Sequence, residues 1–495
     1  MKPHIIFYNP QSSAGRKPIL PASLLAVGAV LEGKYEYTIA DGNLEDNPLE
    51  CLDSLVGKAG EHPVLGFTVM PGPQLEQSVR LCRELKRRHP RLTIVWGGYF
   101  PTQHWDVALR STFVDFVVRG HGEMVFLALL GELEMGGNNF ASIPGLAYKD
   151  EAGQPVTNLL APIPRPHQLP AFNFDRIPVS RYVRKTFLGN RTLGYHSSYG
   201  CPFFCNFCAV VNMVNGKWYP QSAEQVAHVV GRYVKEWQVN AVEFYDNNFF
   251  VHQERVAEFS ERIMGLNVAW WGEGRIDTML KFSDDTWRLM RDAGLRMVFL
   301  GAESGSAETL KRMDKGGTLT PEKTLEMARI MKEWGIVPEM SFVMGNPPDA
   351  ERDLAETMEF IRQVKRVNPA TEIIMYLYTP VPLEGDLYDE AKADGFAFPE
   401  TLEEWIDPNW LNFSQRRSTT MPWIKRTLQQ QIYDFERVIN AYYPTSTDIK
   451  LTGLRRQLLK AVSSWRYHTR FYHFPLELRA MHKLIAYQRP ETSGF

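Results

Sequence analysis

Three cysteines in one short run constrain this chain more than any other feature of its sequence. Cys201, Cys205 and Cys208 follow Gly200 with C-x3-C-x2-C spacing, and they are three of only five cysteines in 495 residues. Three thiolates can hold three irons of a [4Fe–4S] cluster and leave the fourth iron open to bind and reduce a small molecule. Thiolates also suit zinc, but a structural zinc site needs a fourth Cys or His nearby, and the candidate closest in sequence is His196, upstream of the run. The spacing favours an iron–sulfur loop and leaves a zinc knuckle or a chance group of buried thiols as alternatives.

The first 150 residues alternate between short apolar runs and amphipathic segments. Strands are predicted at 5–8, 37–40, 64–69, 93–96 and 114–118, and helices at 20–32 and 74–89. This alternation predicts an α/β domain with a parallel, doubly wound sheet, in which ligands bind beyond the carboxyl ends of the strands. Those ends carry glycines that let a large flat ligand approach the backbone: Gly72, Gly97, Gly98, Gly120 and Gly122.

The rest of the chain divides into three predicted regions. Residues 151–190 contain six prolines, a density that predicts a stiff, extended connector. Residues 191–385 alternate again in six strand–helix units, which predicts a partial (β/α)6 barrel whose chemistry lies in the loops at the carboxyl ends of its strands. Residues 386–495 predict a mainly helical C-terminal region.

The cysteine run carries a family resemblance. Cys201-x3-Cys205-x-Phe207-Cys208, with an aromatic residue before the third cysteine, resembles the cluster loop of radical S-adenosylmethionine (SAM) enzymes. The resemblance implies that SAM chelates the open iron of a [4Fe–4S] cluster and is split by one electron to give a 5′-deoxyadenosyl radical. It also implies the following SAM contacts: Phe207 at the adenine, Asp246, Asn247 and Asn248 at the methionyl amine, Glu303 and Ser304 near the methionine and ribose, and Arg275 at the carboxylate or ribose.

Residues 1–150 resemble the cobalamin-binding domain that precedes many radical SAM domains. The matching segments are 9–10, 21–25, 96–99 and 118–123. The resemblance implies cobalamin contacts from Met70, beneath cobalt, and from Gly97, Gly98, Tyr99, Arg119, Gly120, Gly122 and Glu123. The sequence lacks the Asp-x-His-x-x-Gly element whose histidine ligates cobalt in many such domains. Either cobalamin binds without a histidine below cobalt, which we favour, or the domain has lost the cofactor.

The chain as a whole therefore resembles cobalamin-dependent radical SAM enzymes. The resemblance implies a methyltransferase that acts on an unactivated carbon through a 5′-deoxyadenosyl radical and methylcobalamin. One alternative is a ring-forming enzyme of the anaerobic magnesium-protoporphyrin ester cyclase type. Another is a non-catalytic cobalamin sensor, against which the Glu303-Ser304 element beside an intact cysteine loop argues.

Composition and charge bear on partners and location. Apolar residues make up 44% of the chain and charged residues 23%, which predicts a soluble globular protein, and the net charge of −2 predicts no nucleic-acid partner. Five cysteines, three of them clustered, argue against a disulfide framework and predict a reducing compartment, the cytoplasm. Beyond residue 450, basic residues such as Arg455, Arg466 and Arg470 interleave with aromatic ones. This pattern predicts contact with an anionic membrane surface or ligand, or else a helix with a solvated basic face. The expected partners are a small substrate, hydrophobic or lipid-like, and an electron donor such as flavodoxin or ferredoxin.

Overall fold

The structure, a computed structural model, describes residues 2–13, 15, 18–314, 318–383, 385–416, 421–448 and 451–485. Within these residues seven strands form the first sheet, in the order β2-β1-β3-β4-β5-β6-β7. The strands are β1 Ile5–Asn9, β2 Tyr37–Asp41, β3 Val64–Thr68, β4 Thr93–Gly97, β5 Phe116–Val118, β6 Leu146–Lys149 and β7 Pro155–Thr157. The helices are α1 Ala22–Ala29, α2 Pro48–Lys58, α3 Pro73–Arg88, α4 Tyr99–Gln103, α5 Trp105–Arg110 and α6 Glu123–Met135.

Strands β1 to β5 are parallel, as the sequence predicts. Every residue of β1 is buried, which is typical of a strand covered by helices on both faces. The sheet does not end with these strands, because β6 and β7 add an antiparallel hairpin that reaches residue 157, inside the predicted connector. The Asp150 side chain closes the hairpin turn by accepting from the backbone N–H groups of Ala152 and Gln154.

The second sheet has six parallel strands in the order β15-β14-β13-β12-β11-β8. This confirms the predicted partial barrel. Its strands are β8 Thr192–Tyr195, β11 Ala241–Phe244, β12 Ala269–Gly274, β13 Leu295–Glu303, β14 Val337–Met344 and β15 Glu372–Leu377, while β9 Ser198–Gly200 and β10 Trp218–Pro220 form a separate hairpin. The helices are α7 Val210–Val214, α8 Ala223–Trp237, α9 Gln253–Ile263, α10 Ile276–Met279, α11 Asp284–Asp292, α12 Ala307–Arg312, α13 Pro321–Trp334 and α14 Ala350–Val367.

Local sequence signals set several helix ends of the barrel. Ser222 and Gln225 form a capping box at the start of α8, each side chain bonding the other residue's backbone N–H. Thr320 caps α13, which has proline in its first turn and ends at Gly335 in the left-handed conformation. These signals place the helices between consecutive parallel strands, so the strands' carboxyl ends gather on one face.

The C-terminal region is mainly helical, as predicted. Its helices are α15 Asp386–Ala393, α16 Leu402–Trp405, α17 Pro408–Ser414, α18 Arg426–Tyr442, α19 Gly453–Thr469 and α20 Leu476–Leu484. Trp405 joins this region to the first domain, because its ring centroid lies 5.2 Å from that of Phe100 and 4.7 Å from that of His104. Among the described residues, none of the helices has both the length and the hydropathy needed to cross a bilayer.

Candidate cofactor-binding site

The cysteine loop leaves the barrel through the short strand β9. Gly200, the last residue of β9, has φ +85°, and a Cβ atom there would lie 2.1 Å from the carbonyl oxygen of Lys217. Only glycine therefore fits where the loop turns away from the β9–β10 hairpin. Of the three thiols, Cys205 is buried, and Cys201 and Cys208 are partly buried.

The loop is held by an arginine at the end of β12. The Arg275 guanidinium donates to Cys205 Sγ at 3.0 Å and to both carboxylate oxygens of Asp277, at 3.1 and 2.9 Å. Its Cζ atom also lies 3.8 Å from the centre of the Phe203 ring. A fixed cation beside a sulfur stabilises the thiolate, which is the ligand form. Arg275 thus acts on the cysteine loop in this structure, and its contact with SAM stays a prediction.

The three cysteines affect one another's protonation. Burial first, and the neighbouring Cys205 and Cys201, raise the pKa of the Cys208 thiol to about 12. Three thiolates on one loop need cations to balance them, and Arg275 supplies one. No group of three or more His, Cys, Asp or Glu side chains among the described residues is arranged to hold a metal ion. In a [4Fe–4S] cluster each cysteine binds its own iron, so its thiols need not converge as the ligands of one ion do.

The residues after β11 divide into two kinds. Asp246 is buried, and its carboxylate accepts from the backbone N–H of Ser197 at 2.9 Å and from the Ser197 hydroxyl at 2.8 Å, with the Ser198 hydroxyl as a further donor. Asn247 is exposed. Asn248 is fully buried, and neither its amide nitrogen nor its amide oxygen has a hydrogen-bond partner in the described part of the chain. Asp246 therefore holds the start of the cysteine hairpin, while Asn248 keeps polar atoms available for a ligand.

The end of β13 contains a distorted residue. Glu303 is buried and has φ +64°, at the point where β13 shifts register against β14. A non-glycine residue in this region is strained, and such residues concentrate at functional sites. Ser304 is fully buried, and its hydroxyl lies 2.9 Å from an Asp353 carboxylate oxygen and 3.1 Å from the Thr357 hydroxyl. Ser304 therefore anchors the strand end to α14.

Phe207 is partly buried against an apolar group of barrel and C-terminal residues, which includes Met313, Val343, Tyr378 and Leu387. The packing fixes the position of the residue between Cys205 and Cys208. The adenine contact implied for Phe207 stays a prediction.

The strand ends of the first domain form a second face. Met70 is partly buried, and its backbone N–H donates to Gln74 Oε1 at 3.0 Å. Gly97 ends β4, and Gly98 adopts φ +100° and ψ −168° at the start of α4. A Cβ atom on Gly98 would lie 2.9 Å from the Val69 backbone nitrogen, so the ends of β3 and β4 approach closely only because this residue is glycine.

The segment after β5 completes this face. The Arg119 guanidinium donates to the Thr157 hydroxyl at 2.6 Å and to the Thr102 carbonyl, and the Gly120 N–H donates to the Thr102 hydroxyl at 3.0 Å. These bonds fix the loop, so Arg119 connects it to the β6–β7 hairpin. Gly122 and Glu123 begin α6, and Glu123 Oε2 is buried without a partner in the described residues.

The two faces meet. Tyr199, on β9, donates to Glu123 Oε1 at 2.8 Å, and its ring centroid lies 4.5 Å from that of His121. Farther along, the Asn212 amide donates to Gln103 Oε1 at 2.9 Å. Burial raises the pKa of the Tyr99 hydroxyl, at the start of α4, to about 12; the charge of Arg416 opposes this shift, and the nearby Cys208 adds to it. The segment that carries the cysteine loop and the glycine-rich strand ends of the first domain therefore lie next to each other.

Sequence reasoning missed Glu273 at this site, and it considered His196 only as a possible zinc ligand. Glu273 lies two residues before Arg275 on β12, and burial together with the charge of Asp246 raises its pKa to about 8. Burial lowers the pKa of His196 despite the opposing charge of Asp246. The alternation of side chains along β12 could have identified Glu273. Trp270 packs against Phe259 of helix α9, so Trp271 and Glu273, at odd steps from Trp270, face the barrel interior.

The residues present fit the implied cofactors. Three thiols beside a buried guanidinium suit an iron–sulfur cluster, the unpartnered Asn248 amide suits a polar ligand such as SAM, and the glycine-lined strand ends suit a large planar ligand such as cobalamin. Which of these residues make direct contact stays a prediction.

Comparison with known proteins gives consistent matches. The radical SAM superfamily model matches residues 195–361, and the B12 binding domain model matches residues 17–130. An uncharacterized methyltransferase from Pyrococcus horikoshii is 24% identical over 70% of this chain and 73% of that protein. The anaerobic magnesium-protoporphyrin IX monomethyl ester cyclase of Synechocystis sp. is 25% identical over 72% of this chain and 71% of that protein.

Among solved structures, the radical SAM methyltransferase TsrM from Kitasatospora setae, with cobalamin and a [4Fe–4S] cluster bound, superposes with a TM-score of 0.62. It is 18% identical and covers 80% of this chain and 78% of that chain, so the likeness concerns the fold.

Proposed function

Because the chain belongs to the cobalamin-dependent radical SAM enzymes, with a B12-binding domain ahead of a radical SAM domain, we propose that it transfers a methyl group from SAM to an unactivated carbon of a small-molecule substrate. The cofactors are a [4Fe–4S] cluster, SAM and cobalamin.

One observation carries the proposal. The glycine-rich strand ends of the first domain and the segment that carries the cysteine loop lie next to each other, joined by the hydrogen bond from Tyr199 to Glu123. We propose that the reactants bind between them, in what we call the shared space. Cys201, Cys205 and Cys208 would hold the cluster, and residues around Gly98 and Tyr99 would hold cobalamin. When bound, the cluster supplies the electron that splits SAM, and cobalamin supplies the methyl group. A substrate carbon in the shared space can then reach both.

The chain's own residues position and shield the reactants. Arg275 fixes Cys205 and keeps positive charge at the loop. Asn248 offers both a donor and an acceptor to the methionyl end of SAM. The rings of Trp271 and Phe299, whose centroids lie 6.4 Å apart, cover part of the barrel interior, where the Trp271 indole N–H donates to the buried Glu339 carboxylate at 3.1 Å.

The substrate is proposed to be hydrophobic or lipid-like. The aromatic lining of the barrel supports this, and so do the aromatic and basic side chains of the C-terminal region. A lipid-like substrate resides in membranes, so we propose that the C-terminal region contacts a membrane surface. Reduction of the cluster requires a one-electron donor, which we propose to be a flavodoxin or a ferredoxin.

Cyclisation is the second candidate, favoured by the similarity to the Synechocystis cyclase. It would use the same cofactors and the same shared space but would leave the methyl group of SAM out of the product.

Anaerobic reconstitution with iron, sulfide and cobalamin tests the proposal. The chain is incubated with reductant and methyl-labelled SAM, and iron, cobalt, 5′-deoxyadenosine and labelled cobalamin are measured in the same sample. We expect about four irons, one cobalt, reductant-dependent 5′-deoxyadenosine and label on cobalamin. Iron and 5′-deoxyadenosine without cobalt would overturn methyl transfer, and both cofactors without label on cobalamin would favour cyclisation.

The matched control replaces all three loop cysteines by alanine. This variant should bind cobalamin like the wild type but retain no iron and form no 5′-deoxyadenosine. Equal iron in the two proteins would show that the metal is held elsewhere.

A further inference from the structure

Helix α19 presents apolar side chains to solvent along its length. Leu454, Leu458, Ala461 and Trp465 follow one another at steps of four, three and four residues, which places them on one side of a helix. Leu454 is 78% exposed, and Leu458 and Trp465 are each 49% exposed. The opposite side of α19, around Leu459 and Ser463, is buried against the protein. One side of the helix therefore packs against the protein, and another side, which is apolar, faces solvent.

The stripe continues into the loop that follows α19. The Phe471 ring stacks on the Trp465 ring, with centroids 6.0 Å apart. Phe474 is 64% exposed farther along the same loop, and Leu476, the first residue of α20, is 65% exposed. We call the six residues Leu454, Leu458, Trp465, Phe471, Phe474 and Leu476 the C-terminal apolar face. Contiguous exposed apolar groups of this kind mark interaction sites, whereas isolated ones do not.

Arg466 holds this face in place from beneath. It is buried, pairs with Glu477 at 3.0 Å, and donates to the carbonyl oxygens of Phe471, His473 and Phe474. The loop that carries Phe471 and Phe474 is thereby fixed against α19. The sequence prediction that Arg466 faces a membrane or ligand is wrong, because the pairing with Glu477 draws the guanidinium inward.

The charged side chains of α19 itself are all basic. Helix α19 contains no Asp or Glu, and Arg455 and Lys460 lie exposed on either side of the apolar stripe. Arg470 follows at the end of the helix and pairs at the surface with Glu359. Apolar side chains flanked by cations fit the interface of an anionic bilayer, where the apolar groups enter the acyl boundary and each nearby cation adds attraction to the headgroups.

We propose that the C-terminal apolar face docks the enzyme on an anionic phospholipid surface, with α19 lying along the membrane plane. The sign of the flanking charge selects this occupant, because a second copy of the chain would bring the same cations face to face. The exposed tryptophan also favours it, since indole rings prefer the membrane–water interface.

Vesicle co-sedimentation of the full-length chain tests the proposal. The probes are vesicles of phosphatidylcholine alone and of phosphatidylcholine with phosphatidylglycerol. The variant is Leu458→Glu combined with Trp465→Glu, which places two negative charges on the face. The matched control is Leu159→Glu, which makes the same kind of change at an apolar side chain that is 89% exposed in another region. Circular dichroism and thermal melting check that each variant is folded.

The expected result is binding of the wild type and the control to anionic vesicles, weaker binding to neutral ones, and at least a tenfold loss in the double variant. Binding should also weaken as salt is raised. Failure of the wild type to bind, or equal binding by the double variant, would overturn the proposal. So would a wild-type dimer in light scattering that the double variant dissolves, because a second copy would then occupy the face. Vesicle binding needs no cofactor and no turnover, so its outcome is independent of the methyl transfer proposed above.

Discussion

Replacement of Gly98 by alanine should separate the ends of β3 and β4. Gly98 has φ +100° and ψ −168°, a conformation essentially restricted to glycine. The added Cβ would lie 2.9 Å from the Val69 nitrogen and 3.1 Å from both the Thr68 hydroxyl and the Val69 carbonyl oxygen. Two of these contacts are with backbone atoms, so they are relieved only if a strand end moves.

The loss of stability in Gly98→Ala has two contributions. Holding alanine in this backbone region costs about 1–3 kcal/mol. Forcing an extra methyl group into a packed site costs about 1–3 kcal/mol more. The matched control is Gly136→Ala at the end of α6, where φ is +64° and ψ is +23° and a Cβ would meet nothing within 4 Å. Left-handed backbone alone should cost about 1–2 kcal/mol there.

Native-state hydrogen exchange of peptides that span β3 and β4 gives the opening free energy of this part of the sheet. Gly98→Ala should lower it by more than 2 kcal/mol, whereas Gly136→Ala should leave these peptides nearly unchanged. Cobalamin binding, followed by absorbance, should weaken at least tenfold in Gly98→Ala alone, since the displaced strand ends border the proposed cofactor face. Equal exchange and equal cobalamin binding in the two variants would refute the close approach as the reason for glycine at this position.

Three further predictions address the cysteine loop, the barrel interior and the C-terminal region. Arg275→Lys keeps the charge but loses the fork that reaches Cys205, so the reconstituted chain should retain less iron after gel filtration; full retention would contradict this role. Glu273 keeps its proton up to about pH 8 when folded but ionises near pH 4.5 when unfolded, so it lowers stability progressively as the pH rises through that window. Glu273→Gln should therefore raise the melting temperature over the wild type at pH 8 and hardly at pH 5, and an equal gain at both would disprove the shift. Trp405→Ala removes a buried ring packed on Phe100, costs about 3–5 kcal/mol, and should speed tryptic cleavage ahead of α16; unchanged cleavage would mean that other contacts hold the C-terminal region.

The fold could be predicted from the sequence because its parallel strands are buried on both faces. Such strands read as short, uninterrupted apolar runs, and glycine or proline ends them in both sheets. The hairpin of β6 and β7 escaped prediction because its strands are short and only partly buried, so its residues lack a clear apolar run. Prolines inside it, such as Pro155, resemble those of an extended connector until the pairing is seen.

The sequence predicted that the site residues lie at strand ends, but it could not predict their hydrogen-bond partners. Asp246, Ser304 and Asn248 all follow parallel strands and look alike in a sequence. In the structure Asp246 is hydrogen-bonded to the start of the cysteine hairpin and Ser304 to helix α14, whereas the Asn248 side chain has no partner within the described residues. The distinction depends on partners 49 residues away in each case, Ser197 and Asp353, and no local pattern reports them.

The side chains that have protein partners hold the site in place before any cofactor binds. The loop that carries the cysteines is held by Asp246 at its beginning and by Arg275 at Cys205, and the facing domain is joined to it through Tyr199 and Glu123. Buried polar networks of this kind fix geometry when every group is satisfied and destabilise the fold when one is not. Glu123 Oε2, the Asn248 amide and, within the cysteine loop, Asn206 Oδ1 are buried and unsatisfied at this site among the described residues, so the energetic gain from ligand binding should be largest where they lie. If cobalamin binds beside Glu123 and SAM beside Asn248, as proposed, each cofactor would supply a missing partner, and its binding would then stabilise the fold as well as enable the chemistry.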